Sequence, residues 1–490
     1  MKQKRNGTGP SRREILRAGV MCAGAAVARP LMGRAPRVQV FDVAKYGAVG
    51  DGNTLDSPAI QRAIDAAAAH GGKAQVLVRG GKKYVIGTLE LRSGIDFHLA
   101  DDAQLLASTR REDYRGGLAG STGGDAMATA SGGLIVADGA VGLTISGTGS
   151  VQGRAREFMQ RYDDAGEWWI PKAFRPKMFL LTGCRDLEVR DIMFAEAPNW
   201  GLHMLGCDGV LVDHVKIRNL LDVPNCDGID PDHSRNVEIK NCDIVSGDDA
   251  IVVKTSRQKK DYGPASHIRV HDCVIETQDA GVKIGTETTS EIFDVRFERC
   301  TVKTSSRGLC IQLRDEADVH DVVFRDITFV SRFYSDPWWG RGEGISFTAV
   351  PRTETTKLGR LYGVRVENVT GTAENSVRVS GSQMSRVKDV VLERVDVTFG
   401  RTTKYKGGVF DNRPTFLDVG AGRGIVPHDT PGFSLEHADD VTLRDCRVTW
   451  DGARKDEFSH AVEARDCTGL KMERFVGEAA RADVKAVEIV

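Results

Sequence analysis

An eight-residue pattern, apolar-any-apolar-any-polar-apolar-any-apolar, recurs along the chain and constrains its fold more than any other feature. It appears as Leu187 to Phe194, Val210 to Ile217, Val237 to Ile244, Ile268 to Ile275, Val295 to Val302, Val322 to Phe329, Val390 to Val397 and Val441 to Val448. The first six copies start at 187, 210, 237, 268, 295 and 322, so successive starts differ by 23, 27, 31, 27 and 27 residues. Alternation inside each copy is the two-residue period of a strand, and Val- and Ile-rich runs between Gly, Asn and Asp turns strengthen that reading. No helix-length amphipathic segment intervenes. A helix-free period of roughly 20 to 30 residues predicts an all-β solenoid, a single-stranded right-handed parallel β-helix whose coils stack about 4.8 Å apart over one core. A β-sandwich does not explain a fixed period that keeps a polar residue, Asn241, Asp272, Arg299 or Asp326, at the same turn. The longer gaps, 322 to 364 and 397 to 441, are expected to be projecting loops, and Gly116 to Gly133 a flexible loop ahead of the regular coils.

The ends of a solenoid expose apolar surface and unpaired strand edges. A helix is predicted from Asp56-Ser57-Pro58 through Ala69, with a capping residue, an early proline and an alanine-rich body closed by Gly71-Gly72. Its place in the chain suits it to plug the N-terminal end. Ahead of it, Ser11-Arg12-Arg13-Glu14-Ile15-Leu16-Arg17 leads into the mildly apolar stretch Ala18 to Ala28, which ends Ala26-Val27-Ala28. This reads as a twin-arginine export signal over residues 1–28, cleaved after Ala28. Residues 29–40 then form a linker and 41–490 one solenoid body, periplasmic or secreted.

Charge narrows the partners. Against 67 Lys and Arg stand 68 Asp and Glu, a formal net charge of −1, which removes the electrostatic case for nucleic acid. Beyond the N-terminus no apolar run approaches the roughly 18 residues needed to span a bilayer, so no membrane association is expected after processing, and the protein is expected to act as a monomer. Cys242, Cys273, Cys300 and Cys446 share one place in the repeat, and Cys184, Cys207 and Cys467 share another. Such placement reads as stacked small apolar residues with few or no disulfides.

The chemistry is carried by carboxylates. Asn225-Cys226-Asp227-Gly228-Ile229-Asp230 is followed by Ser246-Gly247-Asp248-Asp249. Asp227 and Asp248 are 21 residues apart, about one coil, which puts them on adjacent rungs of one face. Carboxylates so close raise one another's pKa, and that is useful where one must hold a proton while another does not. Glycoside hydrolysis has this need: one carboxyl protonates the leaving oxygen while another activates water. Any one of these acids alone would read as an ordinary turn residue. The set, in this order and spacing, points to hydrolysis.

These motifs, with Phe41-Asp42-Val43, Asp51-Gly52, Arg175-Pro176 and Pro198-Asn199-Trp200, resemble glycoside hydrolase family 28, the polygalacturonase family of pectin-degrading β-helix enzymes, from Phe41 to about Phe399. The resemblance implies that Asp248 is the general acid and that Asp227 and Asp249 position and deprotonate water, with inversion at the anomeric carbon. It implies Asn225 at the substrate, a polysaccharide or oligosaccharide partner, and no metal or other cofactor. Two family motifs are altered. Asp279-Ala280-Gly281 stands where Gly-His-Gly is expected, and Cys310-Ile311-Gln312 stands for Arg-Ile-Lys. The missing basic pair would remove charge-assisted contacts to a galacturonate carboxylate, worth about 1.5–3 kcal/mol per hydrogen bond. Rhamnogalacturonan hydrolases, which also lack the histidine, are the closer functional comparison.

Replacement contacts are expected from Lys254 and Lys283, which could bind a uronate, and from Gln312. In the loop Tyr334 to Glu343, Trp338, Trp339, Arg341 and Glu343 suit sugar stacking and hydroxyl or carboxylate binding. Trp168 and Trp169 have the same composition near Arg175, whereas His203, His233 and His267 show no metal-ligand spacing. Two rival readings stand beside the hydrolase: a β-helix polysaccharide lyase, often using calcium held by clustered carboxylates, and a non-catalytic carbohydrate-binding protein.

Overall fold

In the computed structural model, residues 38–71, 73–115, 132–417, 424–451 and 457–490 are described. The export signal expected over 1–28, most of the linker, and residues 116–131 of the loop expected from Gly116 to Gly133 lie outside them. The body 38–490 is a parallel β-helix, in which 36 strands among the described residues join in one continuous ladder. Each regular coil contributes three strands. Two of them come from the repeat itself, as when Leu187 pairs with Val210, Val210 with Val237 and Val237 with Ile268, while Ile217 pairs with Ile244 and Ile244 with Ile275. The third face stacks Leu202–Leu205, Ile229–Asp232, Ile251–Thr255, Ala280–Thr288, Arg307–Leu313, Glu343–Ala349 and Val377–Ser380.

The fixed polar residue of the repeat sits at the corner between the first two faces. Asn241, Asp272, Arg299 and Asp326 have φ of 53°, 56°, 50° and 55°. This is the left-handed region that Asn and Asp tolerate best, so the polar position is a backbone requirement. Inside, like side chains stack: Phe297, Phe324 and Phe347 lie with ring centroids 5.1 and 5.4 Å apart. Cys242, Cys273 and Cys300 stack likewise, each thiol donating to the carbonyl two residues before it. The nine cysteines among the described residues are all free, and eight are buried.

The helix spans Ser57–Ala69 and buries Ala59, Ile60, Ala63, Ile64 and Ala67 on one face, against the strands Gln39–Asp42, Ala74–Val78, Leu89–Glu90 and Ile95–Leu99 of the first coils. Asp56 does not cap it with its side chain. That carboxylate accepts from the N–H groups of Val49 and Gly50, tying the preceding turn to the helix start.

The gap from 322 to 364 is only partly loop, because the strand Glu343–Ala349 lies within it. A further rung, Leu361–Ala373, includes a copy of the pattern beginning at Val364. Gly371 stands at that copy's last apolar position, and a Cβ there would lie 2.4 Å from the Phe329 carbonyl oxygen. Among the described residues between Phe399 and Phe433, the expected loop carries the small antiparallel ribbon Val409–Asp411 with Ile425–Pro427.

Candidate active site

The acids enter the third face just ahead of its strands. Asp227 precedes Ile229–Asp232, Asp248 and Asp249 precede Ile251–Thr255, and Asp279 precedes Ala280–Thr288. Backbone bonds clamp these entries together: Gly228 N–H donates to the Asp249 carbonyl and Ala250 N–H to the Ala280 carbonyl, each at 2.9 Å. The rungs meet so closely that a Cβ at Gly228 would stand 2.3 Å from the Ala250 oxygen, which is why glycine follows Asp227.

One oxygen from each of Asp227, Asp248 and Asp249 lies within 4.8 Å of the others. Asp248 accepts from the Asn225 N–H through Oδ2 and from the Asp249 N–H through Oδ1, both at 2.9 Å. Burial, and then the neighbouring Asp249 charge, push its pKa up to about 6. Asp227 is also raised well above the carboxylate range, by burial first and Asp230 next, with Lys254 opposing. Its Oδ2 is 3.3 Å from Lys254 Nζ, while its buried Oδ1 has no protein partner. Asp249 Oδ2 accepts from Lys283 Nζ at 2.7 Å. The positive charge that a cluster of three acids needs is thus supplied by two ammonium groups.

Lys254 also reaches Asp230 Oδ1 at 2.8 Å and lies 3.8 Å from the Trp200 ring centroid. Burial lowers its pKa, but Asp230 and Asp227 outweigh that and hold it well above the ordinary lysine value. Asn225 sits at φ 57°, and its Oδ1 accepts from Arg175 at 2.9 Å. Arg175 also donates to the carbonyls of Pro198 and Pro224, so this buried guanidinium holds the turn whose N–H grips Asp248. The sequence-predicted Asn225, Asp227, Asp248, Asp249, Lys254, Lys283, Trp338 and Trp339 all line one cleft, with Trp168 and Trp200.

Three expected substrate contacts lie elsewhere. Gln312 is 1% exposed, and its amide donates to the Arg413 carbonyl. Arg341 lies with its guanidinium 4.3 Å from the Phe333 ring centroid, and its N–H donates to the buried Glu343 carboxylate at 2.6 Å. The cause is the segment 409–415, which straps over the outward side of the third face. Arg314 and Arg378 donate to Asn412, and Gly340 N–H donates to Asp411, so this surface is covered instead of lining the cleft.

The structure adds residues that sequence reasoning left unassigned. Trp200 forms a cleft wall, and its signal was the Pro198-Asn199-Trp200 run. Asp279 lies near Arg307 Nη1 at 3.5 Å and is raised well above its usual range by burial and by Asp249. Behind Trp200, His203 bridges Lys177 Nζ and Asp232, at 3.0 Å to each. Burial lowers His203 to about 4 and Lys177 to about 8.

Residues 107–409 match the model of glycosyl hydrolases family 28. The chain belongs to that family. This family 28 protein is 30% identical over 274 residues to a probable polygalacturonase of Vitis vinifera, a match covering 54% of each chain. It is 24% identical over 268 residues to an exopolygalacturonase of Zea mays, covering 50% of this chain and 61% of that one. The chain thus spans about half the length of the curated relatives it matches. Its fold is that of an exopolygalacturonase from Thermotoga maritima, with TM-score 0.62, 19% identity and coverage of 86% and 94%. A family 28 exopolygalacturonase from Yersinia enterocolitica superposes with TM-score 0.63 and 16% identity, covering 92% of this chain and 79% of that one.

Proposed function

We propose that this family 28 protein is an exported glycoside hydrolase that cleaves a pectic or other uronate-containing polysaccharide or oligosaccharide, of the rhamnogalacturonan type, with inversion. Asp248 is the general acid, and Asp227 and Asp249 position and activate the attacking water. The observation that carries this reading is the division of labour among three clustered acids. Asp248 is pushed up to about 6 and keeps a proton for the leaving oxygen in mildly acidic solution. Asp249 Oδ2 accepts from the Lys283 ammonium at 2.7 Å, which fixes that carboxylate beside Asp248 at the floor of the cleft. Oxygens no more than 4.8 Å apart can share one water at ordinary hydrogen-bond distances of about 2.8 Å, and Asp227 Oδ1 is unpartnered and available to it.

Export rests on the twin-arginine pattern ahead of Ala28, with the catalytic body from residue 41 onward working as a monomer. The test incubates the protein and its Asp248→Asn variant with polygalacturonan, rhamnogalacturonan and their oligosaccharides, following reducing ends and ultraviolet absorbance together. New reducing ends without absorbance, lost in the variant, are expected. Unsaturated products absorbing in the ultraviolet would replace the hydrolase with a lyase, and turnover that survives in the variant would remove Asp248 from its role.

A further inference from the structure

On the side of the later coils the cleft stops at the rung of Lys283, Thr286 and Glu287. All seven residues of the next third-face strand, Arg307–Leu313, are buried. The strap is the cause, because it crosses the whole width of that face. Ahead of the face Gly340 N–H donates to Asp411, and on it Gln312 and Arg314 donate to the carbonyls of Arg413 and Asn412. Beyond it Thr415 Oγ1 donates to the Pro351 carbonyl at 2.9 Å. A chain of sugars seated at the acids cannot run straight on along the solenoid axis in this direction.

A sideways route is open. Glu287 lines both the cleft and a second, polar trough of about 540 Å³. The trough takes Arg257, Glu287, Asp315 and Arg352 from the ends of four successive third-face strands, which at about 4.8 Å per rung makes it about 14 Å long. Its walls are already held in place. Arg257 Nη2 donates to both Glu316 oxygens, at 2.7 and 2.8 Å, and Arg352 donates to both Asp315 oxygens, at 2.8 and 3.1 Å. Arg352 also donates to the Thr286 carbonyl at 2.8 Å, so the trough and the rim of the cleft share one frame.

The lining suits sugars. Each arginine–carboxylate pair sets donors beside acceptors, which is what neighbouring sugar hydroxyls need. Thr353 Oγ1 lies 3.3 Å from Thr355 Oγ1 and 2.8 Å from Thr356 Oγ1, adding groups that both donate and accept. Lys357 is exposed at the trough and has no acidic partner among the described residues.

We propose that the trough is a second part of the substrate site, into which the sugar chain turns sideways past Glu287 after leaving the acids. Its hydroxyls meet the Arg257–Glu316 and Arg352–Asp315 pairs, and a uronate carboxylate meets Lys357. This rests on the hydrolase reading and adds where the remainder of a longer substrate lies.

The full chain and its Lys357→Ala and Arg257→Ala variants, both altered at exposed positions, would be assayed on disaccharides and hexasaccharides from polygalacturonan and from rhamnogalacturonan. A disaccharide ends within the cleft, whereas a hexasaccharide reaches the trough. The parent is expected to favour the hexasaccharide in kcat/KM, and each variant to shrink that advantage about tenfold, through KM and not kcat. Lys357→Arg keeps the charge and should restore most of it. A parent indifferent to length, or variants that keep the full advantage, would overturn the proposal and leave the hydrolase intact. If no oligosaccharide is turned over, the hydrolase reading fails on these sugars, and titration calorimetry decides the proposal separately. Hexasaccharide binding that weakens about tenfold in Lys357→Ala upholds it, whereas equal binding, or none, sinks it.

Discussion

The Lys283 ammonium lies 2.7 Å from the Asp249 carboxylate, on the rung directly after it. Lys283 stands in the coil where a histidine would be expected from the family motif, and it reaches back to an acid that the proposed reaction uses. Removing the charge should leave Asp249 buried without its partner. Breaking a buried pair in this way typically costs about 3–5 kcal/mol, and losing a well-placed base lowers turnover by about 10²–10⁴-fold. Lys283→Gln is expected to lower both Tm and kcat, with KM changing far less than kcat. Steady-state kinetics beside a thermal melt would check this, and a variant that melts lower but turns over normally would mark Lys283 as purely structural.

The pH profile follows from Asp248. The proposed reaction uses its proton, and burial pushes its pKa up to about 6, so kcat/KM should fall as pH rises through about 6. Folding should respond to the same group. A carboxyl whose folded pKa exceeds its unfolded value of about 3.9 adds stability that is complete below that value and lost as pH rises through the folded one. Asp248→Asn, which carries no charge to desolvate, should therefore melt higher than the parent at pH 8 and close to it at pH 4. An equal melting difference at the two pH values would disprove the linkage.

Much of this was legible in the chain because a solenoid repeats its physics. Asn241, Asp272, Arg299 and Asp326 mark one left-handed corner in successive coils, and the spacing of Asp227 and Asp248 translates directly into adjacent rungs. The strand Glu343–Ala349 was not visible, since third-face strands lack that corner and their spacing varies with the loops. Lys254 and Lys283 could be placed at the cleft, but not their commitment to Asp227, Asp230 and Asp249, which depends on which carboxylate each chain reaches. Gln312 looked like a cleft residue because nothing near it in sequence covers it. The covering carbonyl, on Arg413, comes from 101 residues away.

The corner residues give a stability test free of catalysis. Asn241 holds φ 53° and donates from its side chain to Asp213 at 2.8 Å. A β-branched residue there meets steric strain of about 1–3 kcal/mol. Asn241→Val should lower unfolding free energy by about that amount, and Asn241→Gly, free of the strain, should lower it less. Denaturant melts of the pair would decide, and an equal loss would assign the cost to the missing hydrogen bond instead.

Arg175 should govern catalysis without touching the reacting atoms. It ties Pro198, Pro224 and Asn225 together, and the N–H of Asn225 is the donor that grips Asp248. Lysine keeps the charge but cannot present the planar fork that serves three acceptors. Arg175→Lys is expected to cut kcat about tenfold or more, in line with the cost of a slightly misplaced catalytic group. It should also shift the alkaline limb of the pH profile, since Asp248 would lose an ordered donor. A reduced rate with an unmoved limb would place the effect outside Asp248.

The strap over the third face depends on Asp411. Its carboxylate is fully buried, paired with Arg413 at 2.7 Å and Arg307 at 3.7 Å, and it receives the Gly340 N–H at 2.8 Å. Burial alone would raise its pKa, but Arg413 and Arg307 hold it well below the usual carboxylate range. Asp411 therefore contributes stability that is present above its unfolded pKa and lost only in strong acid. Asp411→Ala would leave Arg413 without its counter-charge and Arg307 with Asp279 alone, and free Gly340 from the strap. The expected cost is about 3–5 kcal/mol, concentrated in residues 409–415 because the ladder beneath is paired on both sides. Limited proteolysis should then cut first within that segment, and hydrogen exchange should rise at Asn412, whose N–H donates to the Gly424 carbonyl, while the amides of Gln312 and Arg378 stay protected in the ladder. Uniform loss of protection across the solenoid would instead assign Asp411 to the core, not to the strap.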